Sequence, residues 1–266
     1  VIYIHINFHL KVSNDLEVYN IEKPSKDKLD EICDLKQPVI FDFNNEELNN
    51  NLNTENLIKN YNIFDIKIRN TENHDDSSEK YLLFTLDEAK HILKNKEKKN
   101  YYSEKNYDFL NESGFNKLLQ MHDSFLRPPM VANCYYDLIF GCNNCETPLR
   151  YQLDYRNFFY VTEGEVEIKL IPPSAKKYLF SKKNYDEYEF SSPVNPWNVQ
   201  DIYKNDFSKI KTLDIILKKG VILFIPAYWW YSLRLKSNSV VCNFKYSTYM
   251  SALSNFHNLC LWYFTK

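Results

Sequence analysis

Glycine is nearly missing from this chain, with 4 in 266 residues, so most tight turns must be made by Asn, Asp or other residues that carry a side chain. That count excludes collagen-like and glycine-linker architectures. An excess of either charge is missing too. Lys and Arg number 33 against 35 Asp and Glu, giving a net charge of −2. With no basic surplus to neutralise phosphates, nucleic acid is not an expected partner. Histidine is scarce, and His5, His9, His74, His91, His122 and His257 all fall outside the β-rich segments described below. No long hydrophobic run occurs either. The most apolar stretch, Val1 to Leu10, is half the roughly 20 residues a bilayer requires. Residues 1–12 therefore read in one of two ways. They form an edge strand, because apolar and polar letters alternate, or they are the stub of a membrane anchor lying upstream of Val1.

The six cysteines, Cys33, Cys134, Cys142, Cys145, Cys242 and Cys260, are scattered, as expected of reduced thiols in a reducing compartment such as a cytoplasm. Cys142 and Cys145 form a lone CxxC in an Asn-rich loop, without the second ligand pair a zinc site needs. What the chain does have is aromatics, 21 Tyr and 18 Phe, which suit strands. Its 44% hydrophobic and 26% charged residues are ordinary for a globular protein with one sizeable core.

The first part, 13–130, reads as an α/β lead-in. A helix is expected over Lys26 to Leu35 and a buried strand over Gln37 to Phe43. Asn45 is expected to cap a helix running to Ile58, followed by a strand from Ile63 to Ile68. Residues 70–80, around His74, read as a polar loop, and Thr85 to Glu88 as a capping box. The charge run 94–100 reads as a solvated turn, and Tyr107 to Met121 as one helix. From 131 to 248 the texture changes to eight short apolar runs, the pattern of a closed β structure. Between them, 172–206 is a long polar and aromatic insertion containing Trp197, a length more often functional than idle. Residues 249–266 read as a C-terminal helix with Leu253, Phe256, Leu259, Cys260 and Phe264 on one face. No linker divides 13–266, so a single domain is expected.

Two segments carry more. One holds Thr147-Pro148-Leu149-Arg150-Tyr151-Gln152-Leu153-Asp154, Arg156-Asn157-Phe158-Phe159, Glu163-Gly164-Glu165 and Leu170-Ile171-Pro172-Pro173. The other is Gly220-Val221-Ile222-Leu223-Phe224-Ile225-Pro226-Ala227-Tyr228-Trp229-Trp230-Tyr231. Gly164 and Gly220 each open a strand at a sharp turn, and Pro226 ends ladder pairing. Together the segments resemble the JmjC-related cupin-like family that includes asparaginyl and other protein hydroxylases. In style the chain is similar to divergent members encoded by large DNA viruses. The resemblance implies a mostly β fold with α, a double-stranded β-helix (cupin or jelly-roll barrel) carrying an N-terminal α/β lead-in and a C-terminal helix.

It also implies an iron site that this sequence does not spell. Active members place a His-x-Asp pair on one strand and a distal His on another, leaving metal positions open for 2-oxoglutarate and oxygen. The corresponding residues here are Arg150 and Gln152, or Tyr151 and Leu153 if the register slips by one, and then Tyr231. The basic residue that grips the cosubstrate falls near Val166. A guanidinium stays protonated and repels a divalent cation, so Arg150 needs a buried anionic or aromatic partner, with Asp154, Glu163 and Tyr231 as candidates. A second reading has Arg150 bind a small anion.

The expectation is a non-catalytic module with no catalytic residue, metal or cofactor. Its altered pocket would hold Tyr151, Asp154, Asn157, Trp229 and Trp230, and Trp197 would lie at an interface with a protein partner. The C-terminal helix offers a route to a homodimer. The alternative is an Fe(II)- and 2-oxoglutarate-dependent protein hydroxylase with non-standard ligands.

Overall fold

The computed structural model describes residues 2–71, 81–94, 100–236 and 238–265. The loop expected around His74 and most of the charge run after Lys94 fall outside these residues. The chain begins with helix α1 (Ile2–Leu10), none of whose side chains is buried. The edge-strand reading of this segment is corrected. The edge of the larger sheet is taken by β1 (Tyr19–Ile21), which pairs in parallel with β2 (Val39–Asp42), while α1 packs against the helix formed by residues 249–254. Among the described residues no helix is long and apolar enough to cross a membrane.

Between these strands, α2 (Lys26–Cys33) starts where the Ser25 side chain accepts from the Lys28 amide, and it buries Leu29, Ile32 and Cys33. The helix expected from Asn45 is two, α3 (Glu46–Asn51) and α4 (Thr54–Asn60). Asn53 breaks them because its side chain accepts from the Asn56 amide and so caps a new start. Next, β3 (Asp65–Asn70) and β4 (Leu82–Thr85) lead into α5 (Leu86–Lys94). The capping box there forms as expected: the Glu88 amide donates to Thr85 Oγ1 and the Thr85 amide donates to Glu88 Oε2. After β5 (Tyr101–Ser103), the single helix expected over 107–121 splits into α6 (Tyr107–Glu112) and α7 (Phe115–His122). Gly114 sits between them at φ +82°, a conformation that ends the first helix.

The β-rich half supplies β6 (Val131–Gly141), β7 (Cys145–Glu146), β8 (Arg150–Tyr151), β9 (Arg156–Glu163) and β10 (Glu165–Ile171). The insertion is not a bare loop. It contains a 3-10 turn (Pro173–Tyr178), β11 (Lys182–Asn184), β12 (Glu189–Ser191) and the short α8 (Lys204–Phe207). β12 pairs with β8, with Phe190 opposite Tyr151 and Ser191 opposite Arg150. Then come β13 (Leu213–Lys218), β14 (Val221–Ile225), β15 (Trp230–Leu235) and β16 (Val240–Thr248). The end of the chain forms two helices instead of one, α9 (Tyr249–Ser254) and α10 (Phe256–Thr265), with Asn255 between them. Phe256 and Phe264 are exposed, and α10 buries none of its side chains.

The strands form two sheets. The larger runs β1-β2-β14-β9-β16-β6-β5-β3-β4, and the smaller runs β11-β12-β8-β15-β10-β13 with β7 on β15. Alternation along each strand sets the layers. On β9, Phe158 and Tyr160 face the helices of the lead-in, while Phe159 and Val161 face the smaller sheet. The space between the sheets is filled by Phe159, Leu223, Ile225, Ile168, Leu170, Leu233 and their neighbours. A third cluster, with Tyr151, Phe190 and Trp230, lies on the other face of the smaller sheet under the insertion. This is a jelly-roll sandwich of the cupin type, as the resemblance implied.

Gly220 shows how tightly the turns are made. Its φ is +88°, and an added Cβ would stand 2.1 Å from Asn44 Oδ1, at the point where Phe43 and Asn44 donate their amides to the Gly220 carbonyl. Gly220→Ala is expected to lower stability by about 1–3 kcal/mol, read from the urea midpoint at unchanged slope. Gly164, at φ +75°, is crowded too, since an added Cβ would stand 3.0 Å from the Asn238 carbonyl oxygen.

Candidate functional site

Toward one end of the sandwich the inward-facing positions turn from apolar to polar. Along β16 they read Val241, Asn243, Lys245, and their partners on β6 are Ile139, Asp137, Tyr135. On β9 the matching partners are Val161, Phe159, Asn157. β8 and β15 close this end from the smaller sheet, with Arg150 directly opposite Tyr231. The residues that the resemblance assigns to the metal positions therefore do converge. The Arg150 guanidinium lies 5.7 Å from the Tyr231 ring centroid. With the Gln152 amide oriented to satisfy all its neighbours, its oxygen accepts from the Tyr231 hydroxyl at 2.7 Å and from Lys245 Nζ at 3.1 Å, and its nitrogen donates to Asp154 at 3.1 Å.

Arg150 is buried, and its main partner is neither Asp154 nor Glu163. It makes a two-pronged ion pair with Glu104: Nη1 donates to Oε1 at 2.9 Å and Nη2 donates to Oε2. Glu104 also accepts from the Tyr102 and Tyr81 hydroxyls, each at 2.8 Å, and from Arg69 Nη1 at 3.4 Å. Arg69 in turn forms a two-pronged pair with Glu189 on β12. Two cations and two anions thus cancel inside the fold, and hydroxyls take up the remaining lone pairs. Burial alone would raise the Glu104 pKa, but Arg150 and then Arg69 overcome it and hold the carboxyl well below its usual range. Burial lifts the Tyr231 hydroxyl to about 12.

The turn that presents Glu104 is itself fixed. Asp137 accepts from the Lys105, Asn106 and Leu138 amides at 2.7, 2.9 and 2.8 Å. Glu163 does a different job, accepting from the Thr54 amide at the start of α4 at 2.6 Å. Asp154 accepts from Ser247 at 3.1 Å, and burial raises its pKa against the pull of Lys245. Burial lowers the pKa of Lys245, with Asp154 and Asp137 opposing the shift.

The other residues singled out from the sequence are divided between this site and its surroundings. Asn157 accepts from Asn243 at 2.6 Å, beside Lys245. Trp229 packs into the core between the sheets, and its indole nitrogen is buried without a partner among the described residues. Tyr151 and Trp230 lie on the opposite face, with ring centroids 4.6 Å apart. Trp197 is half-buried on the outside of β15. Its Nε1 donates to Ser232 at 2.8 Å, and its ring lies 4.1 Å from the Arg234 guanidinium carbon. Of the histidines, His122 pairs with Glu47 and Asn45 at the end of α7, while His257 lies on α10. Cys142 and Cys145 are both buried, and Cys142 Sγ donates to the Ile92 carbonyl at 3.8 Å.

Glu104, Arg69, Glu189 and Lys245 were missed in the sequence. Only Lys245 left a signal there, as the one charged residue in the run Val240 to Phe244 and Tyr246.

The two-sheet jelly-roll makes this a cupin-class protein, and a buried ion-pair network closes one end of a barrel whose centre is built from Arg, Gln, Tyr and Lys. The chain belongs to the family described as the Cupin-like domain, whose model matches residues 12–251. No curated protein matches it.

Proposed function

We propose that this chain is a non-catalytic member of its family, serving as a binding or structural module. The observation that carries the reading is the Arg150–Glu104 pair. At the position where active relatives are implied to hold a metal ligand, this chain has a permanently protonated group with no lone pair to donate, locked by its own counter-ion. Gln152 and Tyr231, at the other two positions, are engaged with each other and with Lys245. This donor set does not fit a divalent iron.

A protein partner is part of the reading. Phe256, Tyr263 and Phe264 on the C-terminal helix are 62%, 74% and 81% exposed, an apolar surface of the kind that proteins use to associate, including with a second copy. The purified protein, supplied with Fe(II), ascorbate and 2-oxoglutarate, is expected to form no succinate above the level of an Arg150→Ala variant. Succinate turnover that exceeds that level would establish the hydroxylase with unusual ligands instead.

A further inference from the structure

The face of the smaller sheet that points away from Arg150 and Gln152 carries a second feature. A cleft of about 300 Å³ is lined by Tyr151, Tyr228, Trp230, Pro173, Lys176 and the aliphatic Leu10 and Val12. That is the lower end of the size range for small-molecule sites. Three aromatic rings from two chain segments meet in its wall. The Tyr151 ring lies 6.3 Å from Tyr228 and 4.6 Å from Trp230, centroid to centroid.

Tyr228 is held there against its own backbone preference. Its φ is +67°, a left-handed conformation that is rare for a bulky side chain. Two bonds fix it: its amide donates to the Gln152 carbonyl at 2.9 Å and its hydroxyl donates to Asn255 Oδ1 at 2.9 Å. Strain of this sort persists where surrounding structure over-determines a position, and it clusters at ligand clamps. Trp230 is 1% exposed and meets the Tyr151 ring edge to face. Lys176 is the lining's one charged residue. Its Nζ stands 5.9 Å from the Tyr151 ring, and among the described residues it forms no ion pair.

We propose that this cleft binds a small planar apolar carboxylate. The ring of the ligand lies against Tyr151, Tyr228 and Trp230, and its carboxylate is met by Lys176. Aromatic walls favour a flat body through stacking. With no acidic side chain in the lining, a single ammonium selects an anion over a cation. Because Tyr151 and Trp230 face away from the polar end of the barrel, this site does not depend on what the barrel interior does.

Calorimetric titration with naphthalene-2-carboxylate, its primary amide and naphthalen-2-ylmethylammonium tests the assignment on the full chain. The carboxylate is expected to bind about tenfold tighter than the amide, and the ammonium weakest. Lys176→Gln, at an exposed position, is expected to bring the carboxylate down to the amide's affinity and leave the amide unchanged. Val12→Trp, which fills the cleft from its half-buried aliphatic wall, is expected to abolish binding of all three. Circular dichroism checks that each variant is folded. The proposal is overturned if the carboxylate shows no saturable binding up to millimolar concentration, or if it binds no better than the ammonium. It is equally overturned if Lys176→Gln leaves the carboxylate's affinity intact.

Discussion

Glu104→Gln is expected to lower folding stability by about 3–5 kcal/mol, because it leaves Arg150 and Arg69 buried with one carboxylate, Glu189, between them. The size follows from what is lost. Arg150 is 8% exposed at its side chain and Glu104 3%, so water cannot replace the missing partner. Glutamine keeps an acceptor for the Tyr81 and Tyr102 hydroxyls, so the loss reports the ion pair with Arg150, its charge together with one of its two hydrogen bonds. The pH dependence carries a sign that can be checked. The folded pKa of Glu104 is depressed, so its contribution is complete above the value of an unfolded glutamate, about 4.3, and disappears as pH falls toward the folded value. The gap between wild type and Glu104→Gln, measured by urea unfolding, should therefore be widest at neutral pH and narrow steadily below pH 4. Removing both charges, in a Glu104→Leu and Arg150→Met pair, should cost much less than Glu104→Gln alone. A single-variant loss under 1 kcal/mol would show that the pair is not buried as described.

The second large effect concerns metal. A variant combining Arg150→His, Gln152→Asp and Tyr231→His with Glu104→Gln is expected to bind Fe(II) or Mn(II) on the order of a hundredfold more tightly than wild type. The reasoning is geometric. Arg150 and Tyr231 are cross-strand partners, and Gln152 already reaches the Tyr231 hydroxyl at 2.7 Å, so three ligands placed there would face one point. Glu104→Gln belongs in the set because Glu104 would otherwise lose its main counter-ion when Arg150 is replaced. If the folded variant bound metal no better than wild type, the three positions would not share a coordination centre.

How far the sequence spoke for the fold can be judged from particular elements. Gly164, Gly220 and Pro226 marked strand boundaries because their backbone chemistry is local. The apolar runs of β9 and β14 were visible because each strand is buried on both faces. The helices were misjudged where a side chain competes with the helix for hydrogen bonds or where the backbone turns left-handed, at Asn53, Gly114 and Asn255. The fate of α1 was hidden because nine apolar and polar letters fit either period, and its packing partner, α9, lies at the far end of the chain.

Within the site, Arg150, Gln152 and Tyr231 were found through the motif. Arg150's need for a partner followed from its charge, but the partner's identity did not. Glu104 lies 46 residues away in the lead-in, and it reaches Arg150 because Asp137 holds the chain after β5 by accepting from the Lys105 and Asn106 amides. A long-range pairing of that kind leaves no periodic trace.

One measurement bears most directly on whether the barrel centre has exchanged a cation seat for an internal ion pair. Wild-type protein is dialysed anaerobically against Fe(II) across the micromolar range, and bound metal is counted per chain. The ion-pair account predicts no saturable site that responds to substitution of Gln152 or Tyr231. One equivalent of iron per chain, lost when either residue is replaced by alanine, would contradict it.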